Sequence, residues 1–106
     1  MLKDDFRKLL GERIATGDND AYEVDKYWKL EADMLSVNIS ETINFLDNDC
    51  TADEFSWISE IFEDIAERTQ SKEYIDCLYR VAKKFPEECA KYNIYGSIQI
   101  AEDFMD

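Results

Sequence analysis

The groups in this 106-residue chain that could do chemistry are three cysteines and a dense set of carboxylates. Cys50, Cys77 and Cys89 lie 27 and 12 residues apart, and no C-x-x-C pair occurs. An odd number at this spacing suits neither a thiolate metal site nor a disulfide framework. The three read as small buried hydrophobes in a reducing compartment. The run Asp47-Asn48-Asp49-Cys50-Thr51-Ala52-Asp53-Glu54 alternates acids, but it lacks the glycine and the closing glutamate of a calcium loop. Glu60 and Asp64, one helical turn apart, could hold a metal or share a proton. There is no histidine, so the commonest general base is missing, and no Ser/His/Asp or Cys/His arrangement can form. Gly-rich phosphate loops are absent as well. The inventory points away from an enzyme, with no cofactor and no resident metal expected, and leaves the carboxylates for recognition.

Six of the 25 carboxylates crowd one stretch, residues 51–68. Thr51 can accept from the backbone N–H of Glu54, and Glu54 can reach back to the N–H of Thr51, which is a capping box. Phe55, Ile58, Phe62 and Ile65 recur at three- and four-residue spacing with Ile61 beside them, so one helix face is apolar. The opposite arc carries Asp53, Glu60, Glu63, Asp64 and Glu67. On a continuous helix Glu60, Glu63, Asp64 and Glu67 line up at i, i+3, i+4 and i+7. Trp57 stands at the edge of that stripe, about 100° from the centre of the apolar arc. Like charges so placed repel by a few tenths of a kcal/mol per pair, a cost without return inside the helix itself.

The remaining chain supplies further helices. Only three glycines and one proline punctuate it, and strict alternation of β-branched residues is absent. A first helix is predicted over 3–16 with Phe6, Leu9, Leu10, Arg13 and Ile14 on its face, and Gly17-Asp18-Asn19-Asp20 as the turn after it. A second covers about 20–34 with Val24, Tyr27, Trp28 and Leu35 or Met34 inward. Ser40 is the expected cap of a third running to Asp47, with Ile39, Ile43 and Leu46 on its face, although the two could be continuous. Ser71 caps a helix over 72–84 built on Ile75, Leu78, Ala82 and Phe85. Pro86 opens a short helix to Tyr92. Asn93–Gly96 reads as a turn, and Ser97 as the cap of a last helix ending near Phe104. The chain is therefore expected to be a single all-α domain, residues 1–106. The short links suggest antiparallel helical hairpins in a small α-solenoid-like (HEAT-like) stack, with an irregular helical bundle as the competing architecture. No basic leader with an apolar core opens the sequence, and no apolar run approaches the ~18 residues of a membrane span, so a cytoplasmic, non-membrane protein is expected.

The formal net charge is −13, and it is unevenly spread. Residues 38–76 hold eleven acids against two bases, Arg68 and Lys72, and so carry −9 of it. Such a field repels bare nucleic acid and anionic membranes, and it steers cationic partners inward, by about one to three orders of magnitude in rate at low salt. An exposed Trp57 would supply the aromatic anchor that binding hot spots favour. The candidate partner-binding set is Asp49, Asp53, Trp57, Glu60, Glu63, Asp64, Glu67 and Tyr74. The plain alternative is a solvated helix face, with Trp57 packed on a neighbouring helix.

Residues 54–88 also carry a resemblance. The run Trp-Ile-Ser-Glu-Ile-Phe-Glu-Asp-Ile-Ala-Glu (57–67) and the later Lys83-Lys84-Phe85-Pro86-Glu87-Glu88 are similar to helical immunity proteins of bacterial polymorphic toxin systems, including contact-dependent growth inhibition. The likeness covers about a third of the chain. It implies a cytoplasmic antidote, monomeric alone or one-to-one with its cognate toxin's C-terminal domain. That toxin is often a basic nuclease, and its substrate-binding surface would be occluded. An acidic adaptor or nucleic-acid mimic is the alternative class of function.

Overall fold

The computed structural model describes residues 1–17 and 20–106, and every regular element among them is helical. There are eight α-helices: α1 (Leu2–Thr16), α2 (Ala21–Ser36), α3 (Ile39–Asn48), α4 (Ala52–Ile58), α5 (Phe62–Thr69), α6 (Lys72–Lys84), α7 (Pro86–Tyr92) and α8 (Ile94–Asp103). A 3-10 turn, Ser59–Ile61, joins α4 to α5. Side chains set four of these helix starts by satisfying the orphan N–H groups of the first turn. Asp20 accepts from Tyr22 and Glu23 for α2, Ser71 from Tyr74 for α6, and Thr51 and Glu54 form the reciprocal capping box of α4. The predicted turn at Gly17–Asp20 lies partly outside the described residues, at Asp18 and Asn19. Gly17 itself takes φ 71°, a conformation that glycine adopts without a Cβ penalty.

Three expectations are corrected. The second and third helices are separate, the first of the two readings, but Asn38, not Ser40, caps α3 by accepting from Glu41. The last helix begins at Ile94, not Ser97: Asn93, at φ 51°, closes α7 and opens α8 in one residue, so the expected four-residue turn shrinks to one. The helix over 51–68 is not continuous. The Ser56 hydroxyl donates to the Asp53 carbonyl, and the Ser59 hydroxyl to that of Ser56. Such back-bonding competes with the helical ladder and bends it. Ile61 then leaves helical geometry at φ −124°, ψ 13°.

The packing decides between the two architectures. α3 lies on α6, α4 on α7, α5 on α8 and also on α2, while α1 packs on α2 and α3. Apart from the neighbouring pair α1–α2 and the contact of α6 with α8, the main partners are three helices apart in the chain, whereas a solenoid of hairpins would pair neighbours throughout. The fold is an irregular helical bundle of 31 × 29 × 26 Å. The short helices explain the choice. At 1.5 Å per residue α4 and α7 are about 10 Å long, too short to bury a face in a hairpin of their own. Phe55, Ile58, Ile61, Phe62 and Ile65 are all 0% exposed and form the middle of the core. Phe55 meets Phe62 at 5.3 Å and Phe85 at 6.1 Å between ring centroids. Among the described residues no helix is long and apolar enough to cross a membrane.

Candidate functional site

The site is built outward from the start of α4. Glu54 serves two elements: its Oε1 accepts from the Thr51 N–H, and its two oxygens take Arg7 Nε at 2.6 Å and Nη2 at 3.1 Å. Burial raises the Glu54 carboxyl, but the Arg7 and Thr51 hydrogen bonds outweigh it and hold the group below its ordinary value. This clamp fixes α1 against α4 and leaves Asp53, the next residue back, exposed on the outer side.

The 3-10 turn redirects Glu60. On a continuous helix it would head the acidic stripe. Here its Oε2 accepts from Arg13 Nη2 and its Oε1 from the Trp28 indole N–H, both at 3.1 Å. Arg13 is 1% exposed, also donates to the Gly17 carbonyl at 3.2 Å, and lays its guanidinium 5.2 Å from the Trp57 ring. One buried cation therefore orients both Glu60 and Trp57 from beneath. The idea of Glu60 and Asp64 as a metal-binding or proton-sharing couple loses its first member to these bonds. Among the described residues, no three Cys, Asp or Glu side chains converge to hold a metal.

Two open clefts meet at this turn. The first, about 290 Å³, is lined by Asp53, Ser56, Trp57, Ser59, Glu60 and Tyr92. The second, about 240 Å³, is lined by Ser59, Glu60, Glu63, Ser97 and Ile100. Both lie below the common size of small-molecule sites, and they suit single side chains of a larger partner. A larger cleft, about 500 Å³, lies elsewhere, between α3 and α6 with Glu73, Asp76 and Arg80 in its wall and no aromatic side chain.

The candidate residues divide accordingly. Asp53, Trp57, Glu60 and Glu63 line the paired clefts, with Trp57 half-buried. Asp64 and Glu67 are exposed along α5 and line neither. Asp49 stands apart at the end of α3, where its carbonyl accepts from Arg7 at 3.0 Å. Tyr74 is a correction. It is 0% exposed, so it presents no surface to a partner. It occupies the third position of α6, and that face turns into the core. Its hydroxyl has no hydrogen-bond partner among the described residues, and burial pushes its ionisation well above the ordinary value. Tyr74→Phe should therefore raise stability by about 1 kcal/mol, because an unsatisfied buried hydroxyl is removed. Chemical denaturation tests this, and a loss would mean that the hydroxyl has a role. Of the two residues that close the clefts, Tyr92 is among the tyrosines the sequence leaves open between core edge and interface, and Ile100 carries no sequence signal of its role. Each ends or interrupts a short amphipathic pattern, and neither exposure is readable locally.

The thiols are subdued. Burial, reinforced by the charge of Glu54, pushes Cys50 up to about 12. Burial and the Asp47 charge push Cys77 equally far, and burial also raises Cys89. Thiolate chemistry is suppressed at all three. Among the described residues Asp53, Glu63, Asp64 and Glu67 have no cation within ion-pair distance, whereas Glu54, Asp47 and Glu60 are each matched by an arginine. No family model, no curated protein and no solved structure matches the chain.

Proposed function

We propose that this chain is a binding protein whose α4–α5 face takes the basic surface of one partner protein, and that the partner is a cognate toxin domain neutralised by occlusion of its substrate-binding surface. The observation that carries the binding reading is the set of uncompensated carboxylates, Asp53, Glu63, Asp64 and Glu67, beside the aromatic cleft of Trp57 and Tyr92. The toxin as partner rests on the resemblance at residues 54–88. Carboxylates at the rim govern the on-rate, and any pair desolvated at the centre costs about 2–5 kcal/mol when one member is truncated. An enzyme is disfavoured by the missing histidine and the raised thiols.

The test is co-purification with the C-terminal domain of a large toxin encoded by a neighbouring reading frame, at ~50 mM salt, where attraction between charges is least screened. The pair is expected to associate one-to-one, and absence of association there would sink the toxin reading. The charge test uses Glu63→Lys with Asp64→Lys. It avoids Glu60, whose replacement would also break the Arg13 and Trp28 bonds. The double variant should keep its helical circular dichroism and slow association by about tenfold, chiefly at low salt. Unchanged association would move the interface off α5.

A further inference from the structure

Beside the carboxylates runs a second line of side chains that charge alone does not use. Tyr92, at the end of α7, is 50% exposed and closes the cleft of Asp53 and Trp57. Ile100, on α8, is also 50% exposed and closes the cleft of Glu60 and Glu63. Phe104 lies one helical turn beyond Ile100 and is 45% exposed. Gln70 Nε2 donates to the Phe104 carbonyl at 3.2 Å and to the Glu67 carbonyl at 2.9 Å, so the end of α8 is tied to the end of α5. Scattered apolar side chains are ordinary on a protein surface, but Tyr92 and Ile100 share clefts with Asp53 and Glu63, and Phe104 ends the helix tied to α5 beside Glu67.

We infer that this channel receives one amphipathic, basic helix of the partner, its apolar stripe on Tyr92, Ile100 and Phe104 and its Lys or Arg side chains on Asp53, Glu63 and Glu67. The inference rests on the partner-binding reading above and names the element recognised. The two walls differ in chemistry: α4–α5 presents carboxylates, and α7–α8 presents Tyr92, with the Lys91 ammonium 5.2 Å from its ring centre, then Ser97, Ile100 and Phe104. A helix presents that same division, with residues at i, i+3, i+4 and i+7 on one side and charges flanking them. Ile100 and Phe104 repeat at i, i+4, about 5–6 Å apart, the step of a helical ligand's own stripe. The carboxylates lack a cation of their own within the described residues, so charge complementarity specifies a basic occupant. An extended strand fits less well, because no sheet edge is offered among the described residues for it to join.

Two synthetic peptides of about 18 residues, ~27 Å as helices, test this against a molecule 31 Å in its longest extent. One places leucines in a single stripe with lysines flanking it, and the other scrambles the same residues. Each is titrated into nitrogen-15-labelled protein at ~50 mM salt. The striped peptide should bind about tenfold tighter or more, shifting the Trp57 indole N–H and the amides of Glu63, Ile100 and Phe104. Ile100→Asp should weaken it by about tenfold although the change adds an acid. Tyr92→Asp repeats the test at the other cleft. Both positions are half-exposed, and the peptide comparison needs no variant at all. Equal binding of the two peptides, or undiminished binding to Ile100→Asp, would mean attraction by charge alone; that overturns the channel and leaves the acidic-face reading standing. Binding of neither peptide overturns the channel, and a failed co-purification in addition removes the toxin reading. Shifts that grow with protein concentration, without peptide, would place a second copy of this chain in the channel and overturn the inference.

Discussion

Arg13→Met is expected to destabilise the fold by about 3 kcal/mol, the lower end of the range for removing one member of a buried ion pair. Arg13 is 1% exposed, and its guanidinium joins three elements: Glu60 of the turn, the Gly17 carbonyl after α1, and the Trp57 ring of α4. Methionine keeps most of the length of the arginine stem, so the packing loss is small and the charge loss dominates. The lower end applies because Glu60 is 28% exposed, so water can solvate part of what Arg13 leaves behind. The change should lower the denaturant midpoint without altering the slope. It should also release Trp57 and Glu60 from the floor of the paired clefts, perturbing the indole fluorescence. A double-mutant cycle with Glu60→Gln separates charge from packing: a coupling of about 1 kcal/mol or more assigns the loss to the pair, and additivity would assign it to the stem.

Arg13 also shows how far the sequence could be read. Its place among Phe6, Leu9 and Leu10 on the face of the first helix was legible from spacing, as was the burial of Phe55, Ile58, Ile61, Phe62 and Ile65. The caps at Thr51 and Ser71 and the start at Pro86 were legible too, because each involves residues within four positions of one another. What could not be read is contact at long range. Glu60 lies 47 residues from Arg13 and 32 from Trp28, and no periodicity announces either bond. The break at Ser59–Ile61 had a local signal in Ser56 and Ser59, whose hydroxyls compete with the helical ladder. The helical period of the apolar residues masked it, since 55, 58, 62 and 65 keep their face through a tightened turn. Tyr74 is one of several tyrosines that the sequence leaves open between the core edge and an interface, and its face of α6 turns inward. Tyr92 and Ile100 reach the clefts only because α7 packs on α4 and α8 on α5, pairings that the short links gave no means to choose.

Glu31→Gln gives the other large effect, and its sign depends on pH. Glu31 is 0% exposed on α2, and neither carboxylate oxygen has a hydrogen-bond partner among the described residues. Burial pushes its carboxyl from 4.5 up to about 7, with the Glu60 charge on the turn adding to the rise and Arg13 of α1 opposing it. The folded chain therefore holds this proton more tightly than the unfolded chain does. The stability linked to it is fully present below about pH 4.5 and is lost as pH rises through about 7. At 1.36 kcal/mol per pH unit, the loss across that window is ~3 kcal/mol. Glu54 and Asp47 act in the opposite sense and at lower pH. Arginines hold both below their ordinary values, so their contribution disappears only as the solution becomes acidic. Glutamine cannot ionise, and any cost of its buried amide is the same at every pH. The stability of Glu31→Gln relative to the parent should thus rise by ~3 kcal/mol between pH 4.5 and pH 8, measured by denaturant unfolding at a series of pH values. A difference flat with pH would mean that Glu31 ionises at an ordinary value in the folded state. The Arg13→Met background supplies the check on cause. Without Arg13, whose charge lowers the Glu31 carboxyl, the fall in stability should extend to higher pH, and a profile with an unchanged upper end would show that Arg13 does not act on Glu31.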